Sequence, residues 1–315
     1  MTRPREVIPG RFYQITRRCS EQRFLLRPDS ITNSTFEYCL AVAAKEHGIT
    51  VVDHMVLSNH YHMVIFDSYG SYPAFLELFH VLVARAMNTR WGRRDHFWTA
   101  AQTSVVFLPD LETLIDKLVY TITNPIKHCL VEQVHQWPGA QGYSRLLSGE
   151  RTVCKRPSFF FSNNSSALPA TAELVLELPD GFKDRDAFLA RLARAVDLRV
   201  EEHAAERVKA GERCLGRRFV RRQEWWHRPT AEQRYTRATR DDVSPTFACK
   251  DEERRKKLIE ARADFLDDYA AARERWLTHK RCEFPVGTYW LARYARARVA
   301  VSMVGGPVTL DWFAE

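Results

Sequence analysis

The stretch Ile49-Thr-Val-Val-Asp-His-Met-Val-Leu-Ser-Asn-His60-Tyr-His62-Met-Val-Ile-Phe66 decides the architecture. Residues 49–56 are apolar and β-branched, which is strand composition. Ser58-Asn59 is a short polar break, and residues 61–66 form a second apolar run, so the whole reads as an antiparallel hairpin. Side chains on a strand alternate between its two faces. His60 and His62 therefore point one way and Tyr61 the other. Two imidazoles one strand repeat apart can share a metal ion. The same spacing also suits a polar strand end, and a third ligand is needed to choose.

Around the hairpin, strand-like and helix-like stretches mix. Arg11-Phe-Tyr-Gln-Ile-Thr16 alternates as a strand does. Ser30 and Thr32 can cap a helix over about 33–47, which Gly48 ends. Residues 72–91 have helical periodicity up to Gly92, and 97–108 look extended. Pro109-Asp110 opens a helix over about 111–124, where Pro125 is expected to interrupt. Strands and helices in this order imply an α+β fold, a central antiparallel sheet with helices on its faces.

The helix after Pro109 has its own message. Leu111, Leu114, Ile115, Leu118, Val119 and Ile122 form one apolar stripe. At about 100° per residue, Tyr120 lies almost opposite the stripe, and Asn124 follows on the same face one turn later. Alone, this is equally a surface tyrosine and an asparagine at a helix exit before proline.

The chain has 315 residues, 45% hydrophobic and 27% charged, an ordinary globular balance with chain enough for two domains. The net charge is +8, of which +1 falls on residues 1–150 and +7 on 151–315. A basic surplus favours an anionic partner such as nucleic acid. Seven cysteines, an odd count with no C-x-x-C, speak against a disulfide scaffold or a zinc knuckle. The polar start carries no secretory signal, and no apolar run reaches the ~18 residues of a membrane helix. The expectation is a soluble, cytoplasmic protein without membrane contact.

Residues 156–171 are rich in Ser, Asn and Pro and mark a boundary. The chain divides on this reading into a domain over 1–150, a linker over 151–172 and a basic, mainly helical region over 173–315. Helices are expected over about 184–210, 250–280 and 287–303. Arg217, Arg218, Arg221 and Arg222 precede Trp225 and Trp226. Basic groups could neutralise phosphates while the indoles stack on unpaired bases; a basic helix face over two core tryptophans is the alternative. Arg254-Arg-Lys-Lys257 has acidic neighbours, and ion pairing within a helix explains it more cheaply.

Together the motifs resemble those of the single-tyrosine HUH transposases, in particular the REP-associated tyrosine transposases of bacteria. The hairpin 56–65 is similar to the HUH motif. Tyr120-Thr-Ile-Thr-Asn124-Pro-Ile-Lys127 is similar to the tyrosine helix, with its Tyr-x-x-x-Asn-Pro-hydrophobic-basic pattern. The likeness spans about residues 8–147. It implies that His60 and His62 are paired metal ligands, that Asn124 supplies a third, and that Tyr120 is the nucleophile. It also implies a divalent Mg or Mn ion and a single-stranded DNA substrate beside a hairpin. The product would be a covalent 5′-phosphotyrosine, the enzyme a monomer or homodimer. Lys127-His128 stands where the family often has Arg-Ala, and residues 151–315 have no counterpart in its minimal members. Two rivals remain: a hairpin DNA- or RNA-binding regulator that does not cut, and a metal hydrolase using water, for which His54 and His96 could serve as ligands.

Overall fold

In a computed structural model, which describes residues 4–160, 168–229 and 245–301, the chain runs through six strands and eight α-helices. They are β1 (Arg11–Arg18), α1 (Ser30–His47), β2 (Ile49–Val56), β3 (His60–Asp67), α2 (Tyr72–Arg90), β4 (Ser104–Leu108) and α3 (Leu111–Lys127). There follow α4 (Tyr143–Ser148), β5 (Thr152–Lys155), β6 (Thr171–Leu174), α5 (Arg185–Ala210), α6 (Arg217–Arg222), α7 (Glu252–Leu277) and α8 (Trp290–Ala295). Among the described residues, no helix is long and apolar enough to cross a membrane. All seven cysteines are free thiols.

The first four strands make one antiparallel sheet in the order β2-β3-β1-β4. The hairpin read from residues 49–66 is its β2–β3 pair. The β1-α1-β2 and β3-α2-β4 connections each join parallel strands with one strand between them, the split βαβ arrangement. The helices α1 and α2 lie against each other and cover one face. Tyr61 points into that layer, its ring 5.5 Å from Phe36 of α1 and 5.6 Å from Phe79 of α2. On the other face lies α3, where Gln14 Nε2 reaches Thr121 Oγ1 at 3.2 Å. Alternation along β3 thus separates Tyr61 from the two histidines as the pattern requires.

Several boundaries differ from expectation for local reasons. Asp29, one residue before Ser30, caps α1 by accepting from the Thr32 amide at 2.8 Å. Only 104–108 of the extended stretch 97–108 pair as a strand. Pro125 does not end α3, which continues to Lys127. Proline forfeits its own amide bond and crowds the carbonyl one turn back, and burial of every residue from Thr121 to Ile126 offsets that cost. The burial comes from the sheet on one side and from α5 on another, the latter carrying the buried stripe Phe188, Leu192, Val196 and Val200.

The stretch read as a linker carries strand at both ends: β5 and β6 pair antiparallel and lie against α1. The segment expected to be helical over 287–303 has only α8 among its described residues. In α7, Lys256 pairs with Glu252 at 3.3 Å, as the ion-pair reading requires.

Both outer edges of the sheet are covered. Along β2, the Val56 amide bonds Ala140 O, and the His54 and Val51 carbonyls accept from Gly142 and Glu177. Along β4, Phe107 bonds Thr246 O through its amide and the Ala248 amide through its carbonyl. Residues 140–142 with Glu177 on one side, and Thr246 and Ala248 on the other, therefore close edges that would otherwise pair with another strand.

Candidate active site at the end of the sheet

His60 and His62 sit at the start of β3, opposite Arg18 and Thr16 of β1. Their rings are 4.9 Å apart and nearly perpendicular. His62 is 4% exposed; His60 is half-buried. From α3, the Tyr120 ring meets the His62 ring edge to face at 5.3 Å. The Asn124 carboxamide, 1% exposed, lies 3.2 Å from His62 Nε2. The four residues singled out in two distant motifs thus form one cluster. The polar side of α3 is turned toward the sheet, where Lys117 O and Thr121 meet Gln14.

Neighbours that the sequence did not announce fix the imidazoles. The Asn59 amide donates to Gln22 O at 3.4 Å, which turns its Oδ1 toward His60 Nδ1 at 2.7 Å. His62 Nδ1 lies 2.7 Å from Thr16 Oγ1. Since the Asn124 amide nitrogen faces His62 Nε2, the hydrogen-bond network assigns the proton of each ring to Nδ1. His60 Nε2 then carries a lone pair, and the lone pair of His62 Nε2 accepts from the Asn124 amide. Backing of this kind orients a ligating histidine. The only sequence trace of Thr16 is that Gln14 and Thr16 are polar residues alternating with the apolar Tyr13 and Ile15.

The electrostatics agree. Burial pushes the His60 imidazole down to about 3, aided by Arg18 and His128. Burial also holds His62 well below the usual histidine range, with His60, His128, Arg18 and Lys127 adding in that order. Both rings are neutral at physiological pH, the form that binds metal. Two ammonium groups flank the phenol, Lys127 Nζ at 5.1 Å and Lys117 Nζ at 6.0 Å from the Tyr120 ring centre. A cleft of about 490 Å³ opens here, lined by Arg17, Arg18, His62, Lys117 and Tyr120. Pro245 and Ala248, from the second half of the chain, complete its wall.

The donor set can be tested against a divalent cation. Among the described residues, no cluster of three or more His, Cys, Asp or Glu is found. Asn124 Oδ1, however, is buried without a hydrogen-bond partner. A buried acceptor left unsatisfied costs free energy, and turning the carboxamide over would set this oxygen, in place of the amide nitrogen, beside His62 Nε2. Two imidazole nitrogens suit a divalent transition ion, and a carboxamide oxygen suits Mg or Mn. The residues therefore fit the group.

The alternative histidines are elsewhere. His54 is buried on the α1 side of the sheet, with Nε2 3.2 Å from Glu37 Oε1. His96 is exposed on the loop before β4. Arg217, Arg218, Arg221 and Arg222 are exposed on or at the ends of α6. Trp225 stacks on Trp91 at 6.0 Å, whereas Trp226 is 52% exposed.

No protein-family model matches the chain, and no curated protein matches it. Among solved structures, it is similar to a REP-associated tyrosine transposase bound to a REP hairpin. That likeness has 14% identity and a TM-score of 0.40, and covers 54% of this chain and 96% of that one. A candidate transposase from Deinococcus radiodurans is similar over 34% of this chain and 85% of its own, at 14% identity and a TM-score of 0.26. The tRNA(His) guanylyltransferase of Saccharomyces cerevisiae is similar over 41% of this chain and 64% of its own, at 12% identity and a TM-score of 0.31. All three likenesses are low, and the chemistry of the site stands on its residues.

Proposed function

We propose that the chain is a single-strand DNA nickase and strand transferase of the single-tyrosine transposase type, with Tyr120 as nucleophile. One observation carries this reading: Tyr120 and Asn124 of α3 meet His62 of β3 in a cleft flanked by Arg18 and Lys117. A hydrolase using water would need no phenol there.

In the proposed reaction, the Tyr120 oxygen attacks a backbone phosphorus and the bond from phosphorus to the 3′ oxygen breaks. The phenolic proton ends, overall, on the released 3′-hydroxyl, and the 5′-phosphate stays on the tyrosine. The covalent ester conserves the bond, so another 3′-hydroxyl can reverse the step. Lys117 and Lys127 attract the phosphate and stabilise charge developing on it. His60, His62 and Asn124 would hold a divalent ion, Mg or Mn. When bound, that ion would polarise the phosphate as a Lewis acid. Thr16 and Asn59 keep the ring lone pairs aimed inward. By resemblance, the substrate is single-stranded DNA beside a hairpin; the REP-associated neighbour is bound to a REP hairpin.

The test is a covalent adduct. Protein incubated with Mn and a labelled single-stranded hairpin oligonucleotide should give a band of protein-linked DNA on a denaturing gel. Chelation should abolish it, and so should Tyr120→Phe. An adduct that persists in Tyr120→Phe removes this tyrosine from the role.

A further inference from the structure

We infer that the segment from Gly216 to His227, which includes α6, is a docking surface for the unpaired DNA strand adjoining the tyrosine cleft. Its placement in the reaction rests on the proposed strand cutting; its binding chemistry does not.

Position is the first argument. At one end, the amides of Leu215 and Gly216 bond the carbonyls of Cys129 and Leu130, just beyond the end of α3. At the other end, the Phe24 amide bonds His227 O, and Arg27 Nη1 donates to Glu224 Oε2 at 2.5 Å. The Phe24 loop in turn adjoins the hairpin break, because Leu26 bonds Ser58 O and Cys19 bonds Asn59 O. The segment therefore spans from the end of the tyrosine helix to the turn that carries His60.

Charge is the second. Arg217, Arg218, Arg221 and Arg222 are exposed, and among the described residues none has a carboxylate within ion-pair distance. Glu132 is the one acidic residue lining the groove of about 520 Å³ beside Arg217, Arg218 and Arg222. Four unpaired guanidinium groups on one short segment suit a polyanion.

The aromatic rings say which polyanion. Trp225 is a brace, stacked on Trp91, with the Arg93 guanidinium 5.6 Å from its ring centre. It holds Trp226 perpendicular to itself at 5.6 Å. Trp226 and Phe219 are 52% and 57% exposed. Exposed flat rings beside unpaired arginines are the pairing that stacks bases and neutralises phosphates on a single strand. A duplex hides the faces of its bases, and an acidic peptide has none.

The experiment uses the full chain with Tyr120→Phe, so that binding is read without cutting. Fluorescence anisotropy follows a labelled single-stranded DNA, its duplex, an RNA of the same sequence and a poly-glutamate competitor. With Arg217, Arg218, Arg221 and Arg222 all changed to Gln, single-strand affinity should fall at least tenfold. The slope of log affinity against log salt should flatten by about 3, from ~0.7 per phosphate contact. Trp226→Ala should cost about fivefold or more on the single strand and nothing on the duplex. Trp225→Ala, a brace, should lower the melting temperature.

The inference is overturned by a folded quadruple variant with unchanged affinity and slope. Equal losses on duplex and single strand in Trp226→Ala, or tighter binding of RNA or poly-glutamate than of DNA, overturn it too. With Tyr120 restored, a chain that binds as described yet forms no phosphotyrosine adduct refutes strand cutting and leaves this surface standing. Normal adduct formation with unaltered binding in the quadruple variant does the reverse.

Discussion

Thr16→Val is a change of one atom type next to His62. The hydroxyl oxygen lies 2.7 Å from Nδ1 of an imidazole that is 4% exposed. Valine fills nearly the same volume but accepts nothing, so the Nδ1 proton loses its protein partner at the wall of the cleft. Loss of one such hydrogen bond costs about 0.5–1.5 kcal/mol, and the metal-free protein should lose stability on that scale in urea unfolding. The second effect is on the ring itself. Without this acceptor, only the Asn124 amide at Nε2 still favours the tautomer protonated on Nδ1. Loss of such a supporting partner typically lowers metal affinity or activity 10–100-fold. Titration of Mn by calorimetry, together with the rate of adduct formation, measures it, and Thr16→Ser should restore both. If Thr16→Val folds, binds Mn and cuts DNA as the unaltered chain does, the hydroxyl does not set the tautomer and the argument for His62 as a ligand fails.

Tyr120→Phe should abolish the adduct while leaving the melting temperature unchanged, because no hydrogen bond to the Tyr120 hydroxyl is found among the described residues; a clear destabilisation would mean the phenol has a structural task. Gly142→Ala should cost about 1–3 kcal/mol in urea unfolding, since a Cβ there would collide with Asp53 Oδ1 and Leu176 Cδ1; a neutral result would show that the β2 edge yields easily. Burial pushes the Asp53 carboxyl up to about 7, above the ~3.9 of an unfolded aspartate. The folded state therefore keeps a proton that the unfolded chain gives up, and this contribution is full below about pH 4 and lost as pH rises to about 7. Relative to Asp53→Asn, the protein should lose stability across that window, and parallel profiles would refute it.

Much of the site was legible because two short-range periodicities carry it. A period of two put His60 and His62 on one face, and a period of 3.6 put Tyr120 and Asn124 on another. What neither could reveal is that the faces meet, since that depends on the register of β1 with β3 and on where α3 crosses the sheet. Thr16 and Asn59 were silent for the same reason: each matters only through a partner brought near by strand pairing or a turn. Pro125 misled because its local cost was outweighed by the sheet and by α5, the latter more than 60 residues later in the chain. Trp225 and Trp226 read as one motif, yet a distant residue, Trp91, gives them different tasks.

The closed sheet edges bear on how the chain can be divided. A chain trimmed at residue 150 would strip the amide and carbonyl of Phe107, and the carbonyl of Val51, of their partners. It would also uncover the flank of α3 on which Phe188, Leu192, Val196 and Val200 rest. Bare strand borders and a fresh apolar patch are the recipe for self-association. The shortest well-behaved fragment holding the tyrosine cleft should thus retain residues well past 150, with the later segments serving as built-in chaperones of the earlier ones.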